Sequence, residues 1–336
     1  MKKGFIWGKF QPMHRGHQYL IETAASACDR LLIIVCLDDK FTGDLTPFWQ
    51  RRLQPNSVLE TVNSAVRHLG NVDVTWVDET DCEPYPHGWD QFQDKVQWVL
   101  DQYDGGFTDF YTGDPELYHA EVERRFGVTC HDINREAIPC SATMIRESPV
   151  YHWHFLVRPF QETHPVRIGI SGVESTGKTT LAERLSSILN GSLVEEYGRF
   201  YVNSCRGGNE LSLTRSDYES IAHIQGYNVS KQTRSPVIVD APCFITAFYQ
   251  TLHLGIVSPG VIREVKSEWY DLVIHMEPDV PWVDDGMRTQ SSDEQRKNGE
   301  RLLTRLYSKF RINHRRIGGG YQDRIGEALV AIYDLN

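Results

Sequence analysis

Residues 172–179 constrain the fold of this chain more than any other stretch, because they read G-x-x-x-x-G-K-T. This is the spacing of a phosphate-binding loop, in which glycines let backbone N–H groups approach phosphate oxygens. The apolar run 167–171 before the loop predicts a buried strand, and the periodic run 180–189 after it predicts a helix. A strand, a glycine-rich loop and a helix in this order predict a nucleoside triphosphate site.

Individual positions of the loop have distinct expected roles. Lys178 is expected to act catalytically by reaching the β- and γ-phosphates, and the Thr179 hydroxyl is expected to ligate Mg²⁺. The N-terminus of the following helix adds favourable partial charge. The predicted phosphate-binding residues are Gly172, Glu174, Ser175, Thr176, Gly177, Lys178, Thr179 and Thr180.

The loop lies near the middle of a chain of 336 residues, which predicts two domains. A phosphate-binding loop follows the first strand of its domain, and the upstream part is long enough for a domain of its own. Residues 158–165 contain two prolines and lack periodicity, which predicts a linker. We expect an N-terminal domain over residues 1–157 and a C-terminal domain over residues 166–336.

Composition excludes several classes of protein. The 35 basic and 45 acidic residues give a net charge of −10, so we expect no nucleic-acid partner. The seven cysteines are scattered and odd in number, which favours reduced thiols in the cytoplasm over a disulfide scaffold. No stretch approaches eighteen apolar residues, so we expect no membrane insertion. The sequence leaves the oligomeric state open, a homo-oligomer included.

Strands and helices alternate in the first half of the chain. Predicted strands cover residues 5–7, 31–37, 72–77 and 109–111, and predicted helices cover residues 18–27, 51–68, 89–103 and 116–126. This alternation predicts an α/β fold with a mostly parallel sheet and helices on both faces. Ligands of such folds bind beyond the carboxyl ends of the strands, where the loops that begin at Gly8, Asp38, Asp78 and Gly113 are expected.

The first of these loops carries histidines. Residues 8–17 read G-K-F-Q-P-M-H-R-G-H and place His14 and His17 where a strand turns into a helix. This position points two imidazoles and free backbone N–H groups at an anion. The alternative is a pair of surface histidines beside a glycine that starts a helix.

A second segment, near the end of the same domain, favours the anion site. The hydroxyls of Ser141 and Thr143 and the guanidinium of Arg146 come together at a predicted helix start. Hydroxyls and a guanidinium at that place can bind a second phosphate group. An ordinary helix N-cap is the alternative interpretation.

These two segments resemble the nucleotidyltransferase superfamily, in its nicotinamide mononucleotide adenylyltransferase branch, which pairs G-x-F-x-P-x-H-x-G-H with S-x-T-x-x-R. The resemblance implies that His14 and His17 are catalytic and that residues 141–146 hold ATP phosphates. The lining of the loop would come from Gly8, Lys9, Phe10 and Gln11. It also implies direct in-line attack on the α-phosphorus, with catalysis by positioning and charge stabilisation.

The nicotinamide ring that this resemblance implies would need an aromatic partner. A cationic ring favours the face of a tryptophan, and Trp89 lies in a loop on the expected edge of the sheet. The alternative is that Trp89 starts a helix and packs in the core. Arg52 and Arg135 are further candidates for phosphate contacts.

The second half carries charged residues at strand ends. Further predicted strands cover residues 193–194, 237–240 and 272–276, with a helix over 216–232. The segment E-E-Y-G-R places Glu196, Tyr197 and Arg199 after the first of these strands. Asp240 ends the next one, where a carboxylate usually holds Mg²⁺ through water or receives the proton of the acceptor hydroxyl. A solvated aspartate at a strand end is the alternative.

The motif W-V-D-D-G-x-R resembles the arginine-bearing lid of small-molecule kinases, which closes over the transferring phosphoryl group. It contains Trp282 and Asp285 as candidate substrate contacts and Arg288 as the first candidate for the catalytic arginine. Arg296 is the second candidate. The glycine-rich residues 317–321 would cover the adenine or form a turn.

Taken together, these motifs resemble the bifunctional NadR-type proteins over essentially the whole chain. The resemblance implies an N-terminal Rossmann-like nucleotidyltransferase sheet and a C-terminal P-loop kinase sheet. It implies phosphorylation of ribosylnicotinamide to nicotinamide mononucleotide by ATP, and then adenylation to NAD with release of pyrophosphate. Mg²⁺ is the implied cofactor of both steps, and ATP is the co-substrate.

The chain departs from this family in two respects. Some members begin with a helix-turn-helix domain, whereas this chain starts at the first catalytic strand, so we expect no DNA binding. Family members often carry a second aspartate two positions after the strand aspartate, whereas Asp240 is followed by Ala241 and Pro242. Glu196 is our candidate for the role of that second carboxylate.

Two other functions stay open. One is the same pair of reactions on other substrates, for example on pantetheine phosphate with a different nucleoside kinase. The other is a nucleotide-sensing regulator with degenerate sites. The intact His14, His17, Lys178 and Thr179 argue against a sensor, because a sensor could lose them and keep its fold.

Overall fold

The computed structural model describes residues 1–83, 86–134, 137–280 and 293–336. The chain divides into two compact units, Met1–Gln161 with Asn336, and Glu162–Leu335. The predicted linker contains a helix, Arg158–Thr163. Phe160 anchors this helix, because its side chain is buried and its ring packs near those of Trp49 and Trp153. One buried aromatic in a short segment leaves no periodicity to detect.

Unit 1 is built around a parallel sheet. Its strands are β1 Lys3–Gly8, β2 Arg30–Leu37, β3 Val72–Asp78, β4 Asp109–Thr112 and β5 Thr129–Asp132. Its helices are α1 Arg15–Ala27, α2 Asp39–Asp44, α3 Pro47–Gln50, α4 Pro55–Val66, α5 Trp89–Gln102, α6 Pro115–Phe126, α7 Ala142–Glu147, α8 Pro149–His152 and α9 Arg158–Thr163, with a 3₁₀ turn at Trp153–Phe155.

The strand order β3-β2-β1-β4-β5 explains where the first site lies. Each neighbouring pair is parallel, and β1 has β2 on one side and β4 on the other. The chain therefore reverses its direction of winding across the sheet beside β1, and a crevice opens beyond the carboxyl end of that strand. The loop that follows Gly8 lies at this crevice.

Unit 2 contains a second parallel sheet. Its strands are β6 Arg167–Ser171, β7 Ser192–Val194, β8 Val237–Asp240, β9 Leu272–Met276 and β10 Arg315–Ile317. Its helices are α10 Lys178–Ile188, α11 Tyr197–Arg206, α12 Arg215–Ser230, α13 Cys243–Leu254, α14 Pro259–Ser267, α15 Asp293–Phe310 and α16 Tyr321–Tyr333, with a 3₁₀ turn at Glu210–Ser212.

The order β10-β9-β6-β8-β7 puts β6 at the centre of this sheet, with parallel neighbours throughout. The loop after β6 and the end of β8 therefore open on the same edge. The two parallel sheets with their helices confirm the predicted α/β fold class.

Helix α13 lies outside the predicted elements. Phe244, Ile245, Ala247 and Phe248 are all buried, so the helix is apolar around most of its circumference. Such a helix has no polar stripe, and its sequence cannot be told from that of a buried strand by periodicity.

None of the helices in the described part of the chain has both the length and the apolar composition needed to cross a membrane.

Candidate active sites

The side chains of His14 and His17 accept hydrogen bonds from backbone N–H groups at the start of α1. The His14 Nδ1 accepts hydrogen bonds from the backbone N–H groups of Gly16, at 3.1 Å, and of His17, at 3.4 Å. The His17 Nδ1 accepts from the N–H of His14 at 3.4 Å, and the two rings stack with centroids 3.7 Å apart. The N–H groups that the sequence led us to expect free for an anion are therefore used to fix the imidazoles.

This arrangement decides which ring nitrogens can donate. Because each Nδ1 accepts a backbone hydrogen bond, each neutral ring carries its proton on Nε2. The thiol of Cys140, the residue before Ser141, lies 3.3 Å from the same Nδ1 of His14. His14 and His17 therefore offer two Nε2–H donors at the crevice beyond β1, which suits phosphate oxygens.

The two N-terminal motifs come together through Arg146. Its guanidinium donates to the carbonyl oxygen of Gln11 at 2.6 Å, across 135 positions of sequence, and to the Thr143 hydroxyl at 3.1 Å. Burial lowers the pKa of Arg146, whose guanidinium also faces the ring of Phe41 at 5.2 Å. Ser141 caps α7 by accepting from the N–H of Met144 at 3.1 Å. A partly desolvated cation thus stands next to the histidine loop.

Lys9 and Phe10 have structural partners inside the site. Burial opposes the charge on Lys9, but hydrogen bonds to Asp38, at 2.6 Å, and to Glu79 outweigh it and raise the Lys9 pKa. Phe10 has a φ of 52° and is buried, and its ring centroid lies 5.0 Å from that of His17. The Phe10 side chain therefore packs under the histidine ring and supports it.

Two other residues of unit 1 that we predicted to contact ligands pack against aromatic side chains. Trp89 begins α5 and is half-buried, with ring centroids 6.0 Å from Trp7 and 5.7 Å from Phe92. Its contact with a nicotinamide ring stays a prediction. Arg52 is buried, donates to the carbonyl oxygen of Phe48 at 3.1 Å, and faces the Phe48 ring at 3.9 Å. Arg135 lies outside the described residues.

The glycine-rich loop of unit 2 needs a residue without Cβ at its first position. Gly172 has a φ of +143°, and a Cβ there would lie 2.8 Å from the carbonyl oxygen of Met276. Gly177, with a φ of +84°, precedes α10. The tight backbone directs the loop over the carboxyl end of β6.

Lys178 is held across this loop. Its ammonium donates to the carbonyl oxygen of Val173 at 3.1 Å, and the Thr176 hydroxyl donates to the same oxygen at 2.9 Å. Lys178 is buried. Because an ammonium has three donors, the remaining two can reach phosphate oxygens above the loop.

Thr179 and Asp240 meet at the end of β8. The Thr179 hydroxyl donates to Asp240 Oδ2 at 2.6 Å, while Oδ1 is buried and has no hydrogen-bond partner among the described residues. Burial raises the pKa of Asp240, although Thr179 and Lys178 oppose the shift. A hydroxyl and a carboxylate with an unsatisfied oxygen fit Mg²⁺, which binds few protein oxygens and completes its shell with phosphates and water.

Glu196 forms a second carboxylate beside Asp240. Burial raises the pKa of Glu196, and the nearby charge of Asp240 raises it further. The Arg199 guanidinium lies 3.9 Å from the Glu196 carboxylate. Tyr197 has its N–H bonded to Gln225 at 2.9 Å and its ring packed against the hydrophobic core.

Two cavities meet at Glu196. The loop cavity lies above residues 174–180, and the helical cavity is lined mainly by residues of α11, α12 and α13. Both are lined by Glu196, Arg199, Glu210 and Tyr249. The sequence gives no signal for the helical cavity, because its lining comes from separate segments without a motif.

The region shared by the two cavities is acidic. The pKa of Tyr249 is well above its usual value, through burial and then through the charges of Glu196, Glu174 and Glu210. Arg199 opposes this shift. The shared region is lined by two carboxylates, Glu196 and Glu210, and one guanidinium, with Glu174 close by. The resulting negative potential favours a cationic ligand.

Arg324 joins the phosphate-binding loop to the predicted adenine loop. It is buried, and its guanidinium donates to the carbonyl oxygens of Thr176, at 2.5 Å, and of Gly319, at 2.8 Å. It also pairs with Asp279, whose other carboxylate oxygen accepts from the N–H of Gly319 at 2.5 Å. No motif marks Arg324, so the sequence gives no sign of this role.

The predicted lid is described only in part. Trp282, Asp285 and Arg288 lie outside the described residues. Arg296 lies in α15, is buried, and donates to the carbonyl oxygen of Val280 at 3.1 Å.

Comparison with known proteins gives a match for each half of the chain. Residues 5–148 match the cytidylyltransferase-like family, and residues 167–324 match the AAA domain family. The chain is 30% identical over 323 residues to the "Trifunctional NAD biosynthesis/regulator protein NadR" of Escherichia coli K12, covering 94% of this chain and 78% of that protein.

Solved structures give the same result. The chain resembles the structure of a NadR protein in complex with NR, at 26% identity and a TM-score of 0.72. It also resembles that of NadR in complex with NAD and AMP-PNP, at 26% identity and a TM-score of 0.73. Both alignments cover 99% of this chain and 96% of the other. The similarity spans both sites described above, and the chain belongs to the NadR family.

Proposed function

We propose that this chain is a bifunctional enzyme of NAD biosynthesis. Unit 2 phosphorylates the 5′-hydroxyl of ribosylnicotinamide with ATP, and unit 1 adenylates the resulting mononucleotide to NAD with release of pyrophosphate. The observation that carries the proposal is the acidic region between the loop cavity and the helical cavity. Ribosylnicotinamide is a cation through its pyridinium ring, and it must place its hydroxyl beside the terminal phosphate of ATP.

In the kinase site, the backbone N–H groups of residues 174–179 and the ammonium of Lys178 bind the phosphates of ATP. The carboxylate pair of Asp240 and Glu196 receives the proton of the attacking hydroxyl, because both groups line the same pocket beside Thr179. Mg²⁺, held by the Thr179 hydroxyl and Asp240, would neutralise charge on the phosphate oxygens. Arg288 is our proposed lid arginine.

In the adenylyltransferase site, the Nε2–H groups of His14 and His17 and the guanidinium of Arg146 bind the triphosphate. The phosphate of the mononucleotide attacks the α-phosphorus, and the bond to pyrophosphate breaks. The imidazoles and a partly buried guanidinium stabilise the charge that builds on the phosphate oxygens. Trp89 is our candidate partner for the nicotinamide ring.

Chromatography of the products tests this function. Purified protein with ATP, Mg²⁺ and ribosylnicotinamide should form the mononucleotide first and NAD afterwards. If the protein forms mononucleotide but no NAD, and still forms no NAD when mononucleotide is supplied directly, the adenylyltransferase assignment would be contradicted. Binding of ATP without turnover of either substrate would favour the sensor instead.

The proposal includes the ligands of the enzyme and its location in the cell. A net charge of −10 supports small-molecule ligands without a nucleic-acid partner, and the scattered cysteines support a cytoplasmic location. ATP, ribosylnicotinamide, the mononucleotide and NAD are the proposed ligands. NR, NAD and AMP-PNP in the solved NadR structures support them. A homo-oligomer is compatible with this function.

A further inference from the structure

Asp240 and Glu196, the two carboxylates of the kinase site, are held by the sheet to different degrees. Asp240 is the last residue of β8 and pairs in register with Ile170 of β6. The next N–H, of Ala241, donates to the carbonyl oxygen of Ile170 at 3.2 Å. The ladder between β7 and β8 ends at Val194, two residues before Glu196. The sheet therefore fixes the backbone of Asp240, whereas the backbone of Glu196 depends on other contacts.

Glu196 lies at the start of a helix that it does not cap. It is the N-cap residue of α11, but its side chain accepts no hydrogen bond from the first N–H groups of that helix. The first N–H groups of a helix have no partner within it, so they take acceptors from other parts of the chain. For Tyr197, the first residue of α11, the acceptor is the side-chain oxygen of Gln225 at 2.9 Å. The Glu196 carboxylate is thus left to line the pocket beside Thr179.

Gln225 bonds the segments of both carboxylates at once. Its Oε1 accepts from the N–H of Tyr197, the residue after Glu196, and its Nε2 donates to the carbonyl oxygen of Asp240 at 3.3 Å. The side chain is buried, with 1% of the residue exposed. An amide carries both an acceptor and donors, so one side chain can bridge two backbones, which neither a hydrocarbon nor a carboxylate can do.

The helix that carries Gln225 gives this bridge a rigid base. Ile221 and Ala222 of α12 are buried and belong to the same hydrophobic cluster as Phe244 of α13. Protein cores are close-packed, so a buried side chain on such a helix keeps its place. The position of Glu196 is therefore tied to α12 through the first turn of α11.

We propose that Gln225 is a positioning residue of the kinase site, which holds Glu196 beside Asp240 so that the pair can receive the proton of the attacking hydroxyl. This inference rests on the proposed kinase function. Because the sheet already fixes Asp240, loss of the bridge releases the segment of Glu196 and leaves the sheet as it is. A small displacement of a group that takes part in a reaction costs a large factor in rate.

A matched pair of glutamine variants tests the proposal. Gln225→Met keeps the length of the side chain and removes both of its hydrogen bonds. Gln250 on α13 is also buried, accepts from the N–H of Ser258 at 2.9 Å and donates to the Ser258 hydroxyl at 3.2 Å. It is not among the residues that line the loop cavity or the helical cavity. Gln250→Met therefore removes the same kind of bonds away from the site.

We expect Gln225→Met to lower kcat for phosphorylation of ribosylnicotinamide at least about tenfold, with the KM for ATP and for the nucleoside changed by less than about twofold. Gln250→Met should leave kcat within about twofold of the unaltered protein, although both variants should lower the midpoint of thermal unfolding. Gln225→Asn keeps the amide but is one carbon too short to bridge the two segments. It should show the same fall in kcat, and it replaces Gln225→Met if that variant does not fold.

Three results would overturn the inference. One is an unchanged kcat in Gln225→Met, and another is an equal fall in Gln250→Met, which would show a general effect of lost hydrogen bonds in the core. The third is a raised KM for the nucleoside with an unchanged kcat. Gln225 lines the helical cavity, so that result would mean that it contacts the nucleoside instead.

A double variant decides whether Gln225 acts through Glu196. Once Glu196→Gln has removed the carboxylate, nothing is left to position, so adding Gln225→Met should lower kcat by less than about twofold. A fall of about tenfold in both backgrounds would show that Gln225 acts by another route and would contradict the inference. If the unaltered protein phosphorylates no ribosylnicotinamide, the proposed function itself is wrong.

Discussion

At the scale of single residues, Asp240 and Glu196 are close enough for the charge on one to raise the pKa of the other. Both are also raised by burial. Two such groups release their protons as a pair, and a base must be ionised to accept a proton. Kinase activity should therefore fall as the pH drops through a range above that of an ordinary carboxyl.

Glu196→Gln removes the carboxyl whose pKa is raised by burial and by the charge of Asp240. We expect the acid limb of the kcat/KM profile for phosphorylation to move to lower pH in this variant, together with a lower maximum rate. Glu195→Gln changes an adjacent, exposed carboxylate and should leave the limb in place. An unshifted limb in Glu196→Gln would mean that the two carboxylates do not titrate together.

Residue identity explains which parts of the sites could be predicted. Lys178, Thr179 and the two histidines belong to motifs whose spacing is fixed by phosphate geometry, so their positions follow from the sequence. Phe10 could not be placed in this way, because its turn under His17 depends on a positive φ for a bulky residue. The helical cavity could not be predicted either, because its lining residues come from separate segments.

At the scale of elements, the loop between β6 and α10 is conformationally restricted, because there is no room for a side chain at its first position. Gly172→Ala would force a Cβ against the Met276 carbonyl at 2.8 Å in a backbone region that alanine avoids. We expect a loss of about 2 kcal/mol or more in the free energy of unfolding, and weaker ATP binding.

Gly326→Ala is the matched control for this substitution. A Cβ on Gly326, within α16, would meet nothing within 4 Å. Replacing a glycine inside a helix by alanine should raise stability by about 0.5–1 kcal/mol. Denaturant unfolding measures both variants, and equal effects would show that the loop is not conformationally restricted.

Helix α16 holds the phosphate-binding loop from outside through Arg324. Arg324→Ala leaves the Thr176 and Gly319 carbonyls without their donor and Asp279 without its ion pair. We expect a loss of about 3 kcal/mol in the free energy of unfolding and a higher Kd for ATP. Arg315→Ala on β10, an exposed arginine, should change stability by less than about 0.5 kcal/mol. A Kd equal to that of the unaltered protein would contradict the link between α16 and nucleotide binding.

Elements with strong local patterns agree with the sequence predictions. The apolar strands β2 and β8 are buried along nearly their whole length, so their composition alone marks them. Helix α13 has no such mark, because its burial on most sides depends on α12, α14 and α15 packing around it. The short helix α2 is capped by Asp38, and α3 begins with Pro47; both are shorter than the length at which periodicity can be read.

At the scale of the whole molecule, each reaction should be removable without the other. Lys178→Ala should lower phosphorylation of ribosylnicotinamide at least about 100-fold and leave adenylation of supplied mononucleotide nearly intact. His17→Ala should do the reverse. Chromatography of the two product pools measures both rates. If either substitution stopped both reactions in a folded protein, the two-site assignment would be wrong.

Mixing the two variants extends this test. Neither variant alone should convert ribosylnicotinamide to NAD, whereas the mixture should, because the mononucleotide made by His17→Ala diffuses to the intact site of Lys178→Ala. Failure of the mixture, with both single activities present, would mean that the intermediate does not leave the molecule.

Phosphorylation reverses the charge of the molecule in the helical cavity. The nucleoside enters as a cation, and the added phosphoryl group brings a charge of about −1.5 to −2 at pH 7, so the product is an anion. The carboxylates of Glu174, Glu196 and Glu210 that attract the nucleoside then repel the mononucleotide. We therefore expect the carboxylates that attract the nucleoside to favour release of the mononucleotide for the second reaction.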